Sequence, residues 1–296
     1  MSESSSNTPV CDYEGSSYRI DFWEGQGREY EDLADRIALR RLLPASGRRI
    51  IDIDAGFGRL VDLYTAYDHV ILLDYSLSQL EYARQRLGTE RYTYVAADIY
   101  RLPLRDNVVD TAVMVRVMHH LANVPSALHQ LQRILLPGGT MILEYANKRH
   151  LKNILRRALG RSPNPFDEQP YEFAPLHYDF HPRWIKREIA NAGFTQQRLL
   201  SVSLLRSTFL KRRLKAVTLA KIDGWQQYIF APLSIAPSMF VQAGTQKASN
   251  AALTALDDLF CCPDCGSCSL NEMNQTLHCT QCGRDWPIIN GIYVFK

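Results

Sequence analysis

The chain has 296 residues, is 46% hydrophobic and 22% charged, and carries a formal net charge of +3. That length suits one large domain plus a small one, and so slight a charge does not by itself mark a nucleic-acid binder. The polar start, Met1 to Asn7, does not read as a secretory leader, and the best candidate for a membrane span, Tyr228 to Val241, is broken by Pro232 and Pro237, so a cytoplasmic location is expected.

Residues 1–17 read as a polar tail, and Tyr18 to Trp23 leads into a helix over Tyr30–Leu42, with Leu33, Ile37 and Leu42 on one face. Pro44 and Gly47 end it. The next stretch, Arg49-Ile50-Ile51-Asp52-Ile53-Asp54-Ala55-Gly56-Phe57-Gly58-Arg59-Leu60, reads as a buried parallel strand, then a tight two-glycine turn. Leu60, Val61, Leu63 and Tyr64 then follow a helical pattern. A backbone without Cβ turns sharply and lets a ligand lie against it.

Val70 to Asp74 is a second strand closed by an acid, and Ser76 is placed to cap a helix over Leu77–Leu87. Tyr92 to Ala97 is a third strand, closed by Asp98 beside the apolar Ile99. In nucleotide-binding α/β sheets an acid at the second strand's tip accepts hydrogen bonds from ribose hydroxyls. Val108 to Arg116 reads as the fourth strand. Asn123-Val124-Pro125 opens a helix that Pro137-Gly138-Gly139 closes, and Thr140 to Tyr145 is the fifth strand. Alternating strands and helices predict a parallel sheet covered on both faces.

From about Phe22 to about Ala243 these linked motifs resemble the class I S-adenosylmethionine (SAM) methyltransferases, and "LLPGGTMILEY" is similar to the quinone-biosynthesis type. The resemblance implies an α/β, Rossmann-like, seven-stranded, mostly parallel sheet. It implies a cofactor lying against Asp52, Asp54, Gly56, Gly58, Asp74, Tyr75, Asp98, Ile99 and Arg116. One departure matters: the family's pattern has glycine where this chain has Asp54. A side chain there either crowds the methionine end of the cofactor or pairs with its amino group. In the family an N-terminal segment folds over the cofactor, which makes Trp23 and Tyr30 candidate lining residues.

After the fifth strand, about 146–182 reads as a lid or acceptor-binding insertion, with a basic amphipathic helix (148–161) and a proline- and aromatic-rich loop. A helix from His181-Pro182 to Ala192 follows, then a sixth strand over Phe194–Val202 and a seventh over Ser238–Ala243. Between those strands 211–215 is a second basic stretch. Both basic stretches read most simply as the solvated faces of amphipathic helices. The methyltransferase domain is thus expected over 18–245, a linker over 246–258 and a small domain over 259–296.

Methyl transfer chiefly needs nucleophile, methyl and sulfur to be aligned, with a base where the acceptor arrives protonated. His119 and His120, past the fourth strand, are the candidate bases, although a histidine there also serves to cap a helix or pack beneath the cofactor. Glu144 and Asn147 stand at the next strand's mouth. The chain lacks the Asn-Pro-Pro-aromatic tetrapeptide after the fourth strand that would suggest exocyclic-amine methylation. It also has no cysteine near the site for covalent cytosine chemistry.

Six of the seven cysteines fall between Cys261 and Cys282. Cys262-Pro263-Asp264-Cys265 and Cys279-Thr280-Gln281-Cys282 are two Cys-x-x-Cys knuckles, the pattern of a structural zinc site, leaving Cys261 and Cys268 as spares. Disulfides are the competing reading, disfavoured in a chain with no export signal. The run from Asp285 to Phe295 resembles the end of a small zinc-ribbon family that includes the activating partner of several tRNA, rRNA and release-factor methyltransferases. The expected function is SAM-dependent methyl transfer to an unidentified acceptor, a small molecule before RNA or a translation protein, with no membrane partner. A different class of reading is a non-catalytic scaffold in which Asp54 has impaired cofactor binding.

Overall fold

The computed structural model describes residues 8–12, 14–15, 27–161, 163–248 and 253–296. The stretch from Tyr18 to Trp23 therefore lies outside the described residues.

Seven strands form the central sheet: β1 (Gly47–Ile53), β2 (Tyr67–Asp74), β3 (Tyr92–Ala97), β4 (Val109–Met114), β5 (Leu135–Ala146), β8 (Phe194–Val202) and β9 (Ser238–Thr245). Their order is β3-β2-β1-β4-β5-β9-β8. All neighbours are parallel except β9, which runs antiparallel to both β5 and β8. This is the Rossmann-like arrangement expected from the sequence. The alternation that marks each strand sends successive side chains to opposite faces. Ile51, Ile53, Ile71 and Leu73 pack with α3 (Val124–Ile134) and α5 (Pro182–Asn191) on one face. Ile50, Val70 and Leu72 pack with α1 (Glu29–Leu42), α2 (Leu77–Leu87) and α7 (Ala216–Gln226) on the other.

Capping residues act where the sequence places them. The Ser76 hydroxyl accepts from the Gln79 N–H, and the Asn123 side chain accepts from the Ser126 N–H at 3.1 Å. Three local expectations are corrected. The helical pattern after the glycine turn yields only a run of turns and one 3-10 turn, Val61–Leu63. The span from Gly58 to Tyr67 is too short for a helix that also returns to the sheet. β5 begins at Leu135, earlier than expected, because Leu135 already pairs with Val109 before an irregularity over the Pro-Gly-Gly segment. The second basic stretch (211–215) is helical only to Arg213, the end of α6 (Thr208–Arg213), and the helix after it, α7, was not foreseen, being apolar on a buried and an exposed face and so without a helical stripe to read.

The insertion holds α4 (Leu151–Ala158) and a hairpin, β6 (Tyr171–Ala174) and β7 (His177–Asp179). At the C-terminus, β10 (Leu270–Met273), β11 (Thr276–Cys279), β12 (Asp285–Ile289) and β13 (Ile292–Phe295) form an antiparallel meander. Its last strand pairs in parallel with β3, from Ile292↔Tyr94 to Phe295↔Ala97. The C-terminal segment thus extends the central sheet to eleven strands. It also shares the core, since Trp286 and Phe295 belong to the same buried cluster as Val95 and Ala97.

Candidate active site

Parallel strands β1, β2, β3 and β4 deliver their C-terminal tips to one edge, where open α/β sheets bind ligands. Asp54 follows β1 with φ +49°, the left-handed region, so it adopts the backbone conformation that the missing glycine would have supplied. Gly56 and Gly58 continue at φ +53° and +73°. A Cβ added at Gly56 would meet nothing within 4 Å, whereas one at Gly58 would meet Leu87, Arg86 and Val61. Gly56 thus faces open space, whereas a Cβ at Gly58 would crowd the Leu87, Arg86 and Val61 side chains on a left-handed backbone.

The acids converge on this bend. Asp74 accepts from the Gly56 N–H at 2.7 Å and the Ser76 N–H at 2.8 Å, fixing the bend to the second strand tip. Asp52 accepts from the Tyr64 hydroxyl at 3.0 Å, and Asp98 accepts from the Tyr100 N–H at 2.9 Å. Each acid therefore has a structural task besides any ligand contact. Burial pushes the Asp52 carboxyl up to about 7 and that of Asp74 to about 6. Asp54 is raised well above the ordinary carboxylate range, first by burial and then by its neighbours Asp74, Asp52 and Asp98. The cleft gathers four acids, and the arginines that line it, Arg59 and Arg116, are ion-paired with Asp32 and Asp35 rather than with them.

Asp54 lines three small cavities, of about 40, 40 and 10 Å³. The smallest also holds Tyr75, Ala97 and Ile99, so the second and third strand tips share one slot. Cys11 lies against two of them and Val10 against the smallest, so part of the N-terminal segment covers the cleft and brings there a cysteine that the sequence reading did not place near the site. Tyr30 is instead buried away in the core, its hydroxyl donating to Asp223 at 2.9 Å.

Arg116, at φ +67°, lines two of these cavities, with its guanidinium held by carboxylates. Its guanidinium donates to both oxygens of the fully buried Asp35 at 3.0 and 2.8 Å, and its N–H donates to Glu144 at 3.1 Å. Burial alone would lower its affinity for the proton, but Asp35 and Glu144 more than offset this and raise it. It borders the cleft as a fixed cation committed to carboxylates. Glu144 is held further by the Ser238 hydroxyl at 2.5 Å, and the Asn147 amide donates to the Ser234 and Ala236 carbonyls.

His119 and His120 form a 3-10 turn, Met118–His120, with ring centroids 4.0 Å apart. The hairpin brings a third imidazole, His177, edge-on to His120 at 4.7 Å. His120 contacts the Leu176 carbonyl through Nδ1 at 3.1 Å, so that nitrogen carries the proton. Burial lowers the pKa of both His119 and His120, and the neighbouring imidazoles lower it further. Both are neutral near pH 7.

Sequence reasoning missed His177, Asp35 and Lys296. Asp35 was legible as an acid within the buried stripe Ala34, Ala38, Leu39 and Leu42 of α1. Lys296 was not, because only the pairing of β13 with β3 brings it to the cleft. There its ammonium donates to the Tyr75 carbonyl at 2.7 Å and lies 4.6 Å from the Tyr75 ring centre.

At the far end of the meander the thiols of Cys262, Cys265, Cys279 and Cys282 lie within 4.8 Å of one another. Cys262 and Cys282 are 3.7 Å apart, and Cys265 and Cys279 3.5 Å. Four sulfurs placed tetrahedrally at about 2.3 Å from one ion would be separated by roughly 3.8 Å, so the set fits zinc. The spare cysteines, Cys261 and Cys268, are joined in a disulfide. The knuckle's own turn brings them together, since the Cys262 N–H donates to the Ser267 carbonyl at 2.8 Å.

Comparison with known proteins agrees with this geometry. Residues 51–143 match the family model described as a methyltransferase domain. The chain is 33% identical over 106 residues to the demethylmenaquinone methyltransferase of Clavibacter sepedonicus, covering 35% of this chain and 43% of that protein. It is 35% identical over 105 residues to the malonyl-[acyl-carrier protein] O-methyltransferase of Pectobacterium atrosepticum, covering 35% and 41%. The chain thus spans less than half the length of these relatives. The solved SAM-dependent methyltransferase of Mesorhizobium loti has the same fold, with a TM-score of 0.53 at 20% identity over 73% of this chain and 99% of that one. Residues 51–143 therefore match a methyltransferase domain, and the fold around them is that of the SAM-dependent methyltransferases.

Proposed function

We propose that this protein transfers the methyl group of SAM to a small-molecule acceptor and holds one structural zinc ion in its C-terminal segment. The observation that carries the first part is the gathering of Asp52, Asp54, Asp74 and Asp98 around the Gly56 bend, a site whose excess of negative charge suits a cationic nucleoside. In this reading Asp74 holds the ribose, Tyr75 and Ile99 flank the adenine, and Asp54 faces the amino group of the methionine moiety. The bound sulfonium supplies the reactivity of the methyl group. The chain's own task is then to orient the acceptor and to take its proton. His119 and His120, both neutral, are in the form that accepts one, and the hairpin carrying His177 covers them. A small acceptor is favoured because the matched region resembles enzymes named for demethylmenaquinone and malonyl-acyl-carrier substrates. Zinc would be held by Cys262, Cys265, Cys279 and Cys282, which fill all four positions and leave none open for catalysis.

Titration calorimetry with SAM and S-adenosylhomocysteine tests the cofactor site. Heat in neither titration would leave a scaffold in place of an enzyme. The acceptor is sought by labelled methyl transfer onto cell extract divided into RNA, protein and small-molecule pools, and label in the RNA pool alone would overturn the small-acceptor reading.

A further inference from the structure

An amphipathic helix in a folded protein turns its apolar stripe inward. α4 does not. Leu151, Leu155 and Leu159 recur at helical spacing and are 45%, 58% and 74% exposed. Of the helix, only Asn153 is fully buried, tied to the Lys148 carbonyl at 3.0 Å. Around the stripe stand Lys152, Arg156, Arg157 and Arg161, all exposed. No acidic residue occurs between Glu144 and Asp167 in the sequence to neutralise them.

The root of α4 adjoins a second apolar surface. The Leu151 N–H donates to the Ile235 carbonyl at 2.8 Å, and the Arg149 guanidinium to the Leu233 carbonyl at 3.4 Å. Just before that segment, Ile222, Trp225 and Ile229 follow helical spacing and are 38%, 71% and 51% exposed. Between Glu188 and Asp257 the one acidic residue is Asp223, which is buried.

From this we infer that α4 docks the protein on an anionic lipid surface, with its leucines in the interface and its cations among the headgroups. Leucines seek a low-dielectric medium, and the flanking cations seek anions. A bilayer carrying acidic lipids offers both at once. RNA would satisfy the cations and leave the leucines in water. A second copy would bring an equally basic helix against this one. This docking departs from the expectation of no membrane partner, which rested on the lack of a spanning segment; no helix among the described residues is long and apolar enough to cross a membrane.

The test is co-sedimentation of the full chain with vesicles of phosphatidylcholine alone or mixed with phosphatidylglycerol. Binding is expected only to the mixed vesicles and should fall steeply between 0.1 and about 0.5 M salt as charges are screened. Leu155→Glu/Leu159→Glu should lower the partition coefficient on the order of a hundred-fold or more. Arg156→Gln/Arg157→Gln should lower it about five-fold per charge removed. Both variants alter exposed positions, and unchanged thermal melting would show that they fold. No binding of the native chain to mixed vesicles would overturn the proposal. So would full retention by the leucine variant, a concentration-dependent dimer that this variant abolishes, or a basic face that binds polyuridylate but not vesicles. The readout does not involve methyl transfer, so the methyltransferase reading stands or falls separately.

Discussion

Replacing Asp54 by asparagine should make the free protein more stable and its cofactor site weaker, and the magnitudes follow from the acid cluster. Keeping Asp52 ionised above neutral pH costs the folded state about 4 kcal/mol, given its rise from 3.8 to about 7. Asp74, raised from 3.8 to about 6, costs about 3 kcal/mol. The acids influence one another, so these figures do not add. Asparagine keeps the shape and tolerates the left-handed backbone while removing a charge from the middle of the group. Relief of that buried, unpaired charge should yield about 1–3 kcal/mol, or a melting temperature higher by about 2–5 °C for a chain of this size. SAM would lose a charge-assisted contact worth about 1.5–3 kcal/mol, so affinity should fall roughly ten- to hundred-fold. Scanning fluorimetry without ligand and calorimetry with SAM at pH 8 measure the two halves. If the asparagine variant binds SAM as tightly as the native chain, or if Asp54→Gly binds it more tightly, Asp54 crowds the cofactor and the pairing argument is wrong.

Further predictions concern pH, the buried ion pair and the metal. Because the folded-state pKa values of Asp52 and Asp74 are raised, their contribution to stability is complete below the ordinary carboxylate range and is lost as pH rises through about 6 to 7. The free protein's melting temperature should therefore fall, and its SAM-induced increment grow, between pH 5.5 and 8; an increment constant across that range would contradict this. Asp35→Asn strips Arg116 of a fully buried partner and should cost about 3–5 kcal/mol, visible as a lower urea midpoint. Cys279→Ser should abolish stoichiometric zinc by elemental analysis and speed amide exchange in β13 and in its partner β3, while slow exchange in a metal-free protein would show that the ion is dispensable for that pairing.

The fold was legible where local rules and global arrangement agree. Strand-tip acids, capping residues and apolar alternation are all local signals, and Asp74, Ser76 and Asn123 stand where those signals place them. The site was less legible, because its partners come from distant segments. Arg116 reads as a ligand-facing cation from its place after β4, yet Asp35, eighty-one residues earlier, claims it. His119 and His120 read as a pair of candidate bases, yet the hairpin adds His177. α4 fails in another way: its period correctly gives a helix, but period says nothing about whether a stripe finds a partner within its own chain.

The C-terminal segment reads in sequence as a small domain beyond a linker, and its geometry gives it a second relation to the cleft. A module of this size buries too little surface to fold firmly without a metal. Its β13 nevertheless supplies the neighbour that β3 would otherwise lack, covering what would be an open sheet edge. Asp98 follows β3, and the residue after β13 is Lys296, whose ammonium reaches the Tyr75 carbonyl and lies 3.6 Å from Glu14. Glu14 in turn accepts from the Leu77 and Ser78 N–H groups at the start of α2. Lys296 also draws down the Asp74 carboxyl, opposing part of the rise caused by burial. Order in the four-cysteine end is thus joined through one strand to the position of two cleft acids, and loss of that order should loosen the cleft without touching any residue that lines it.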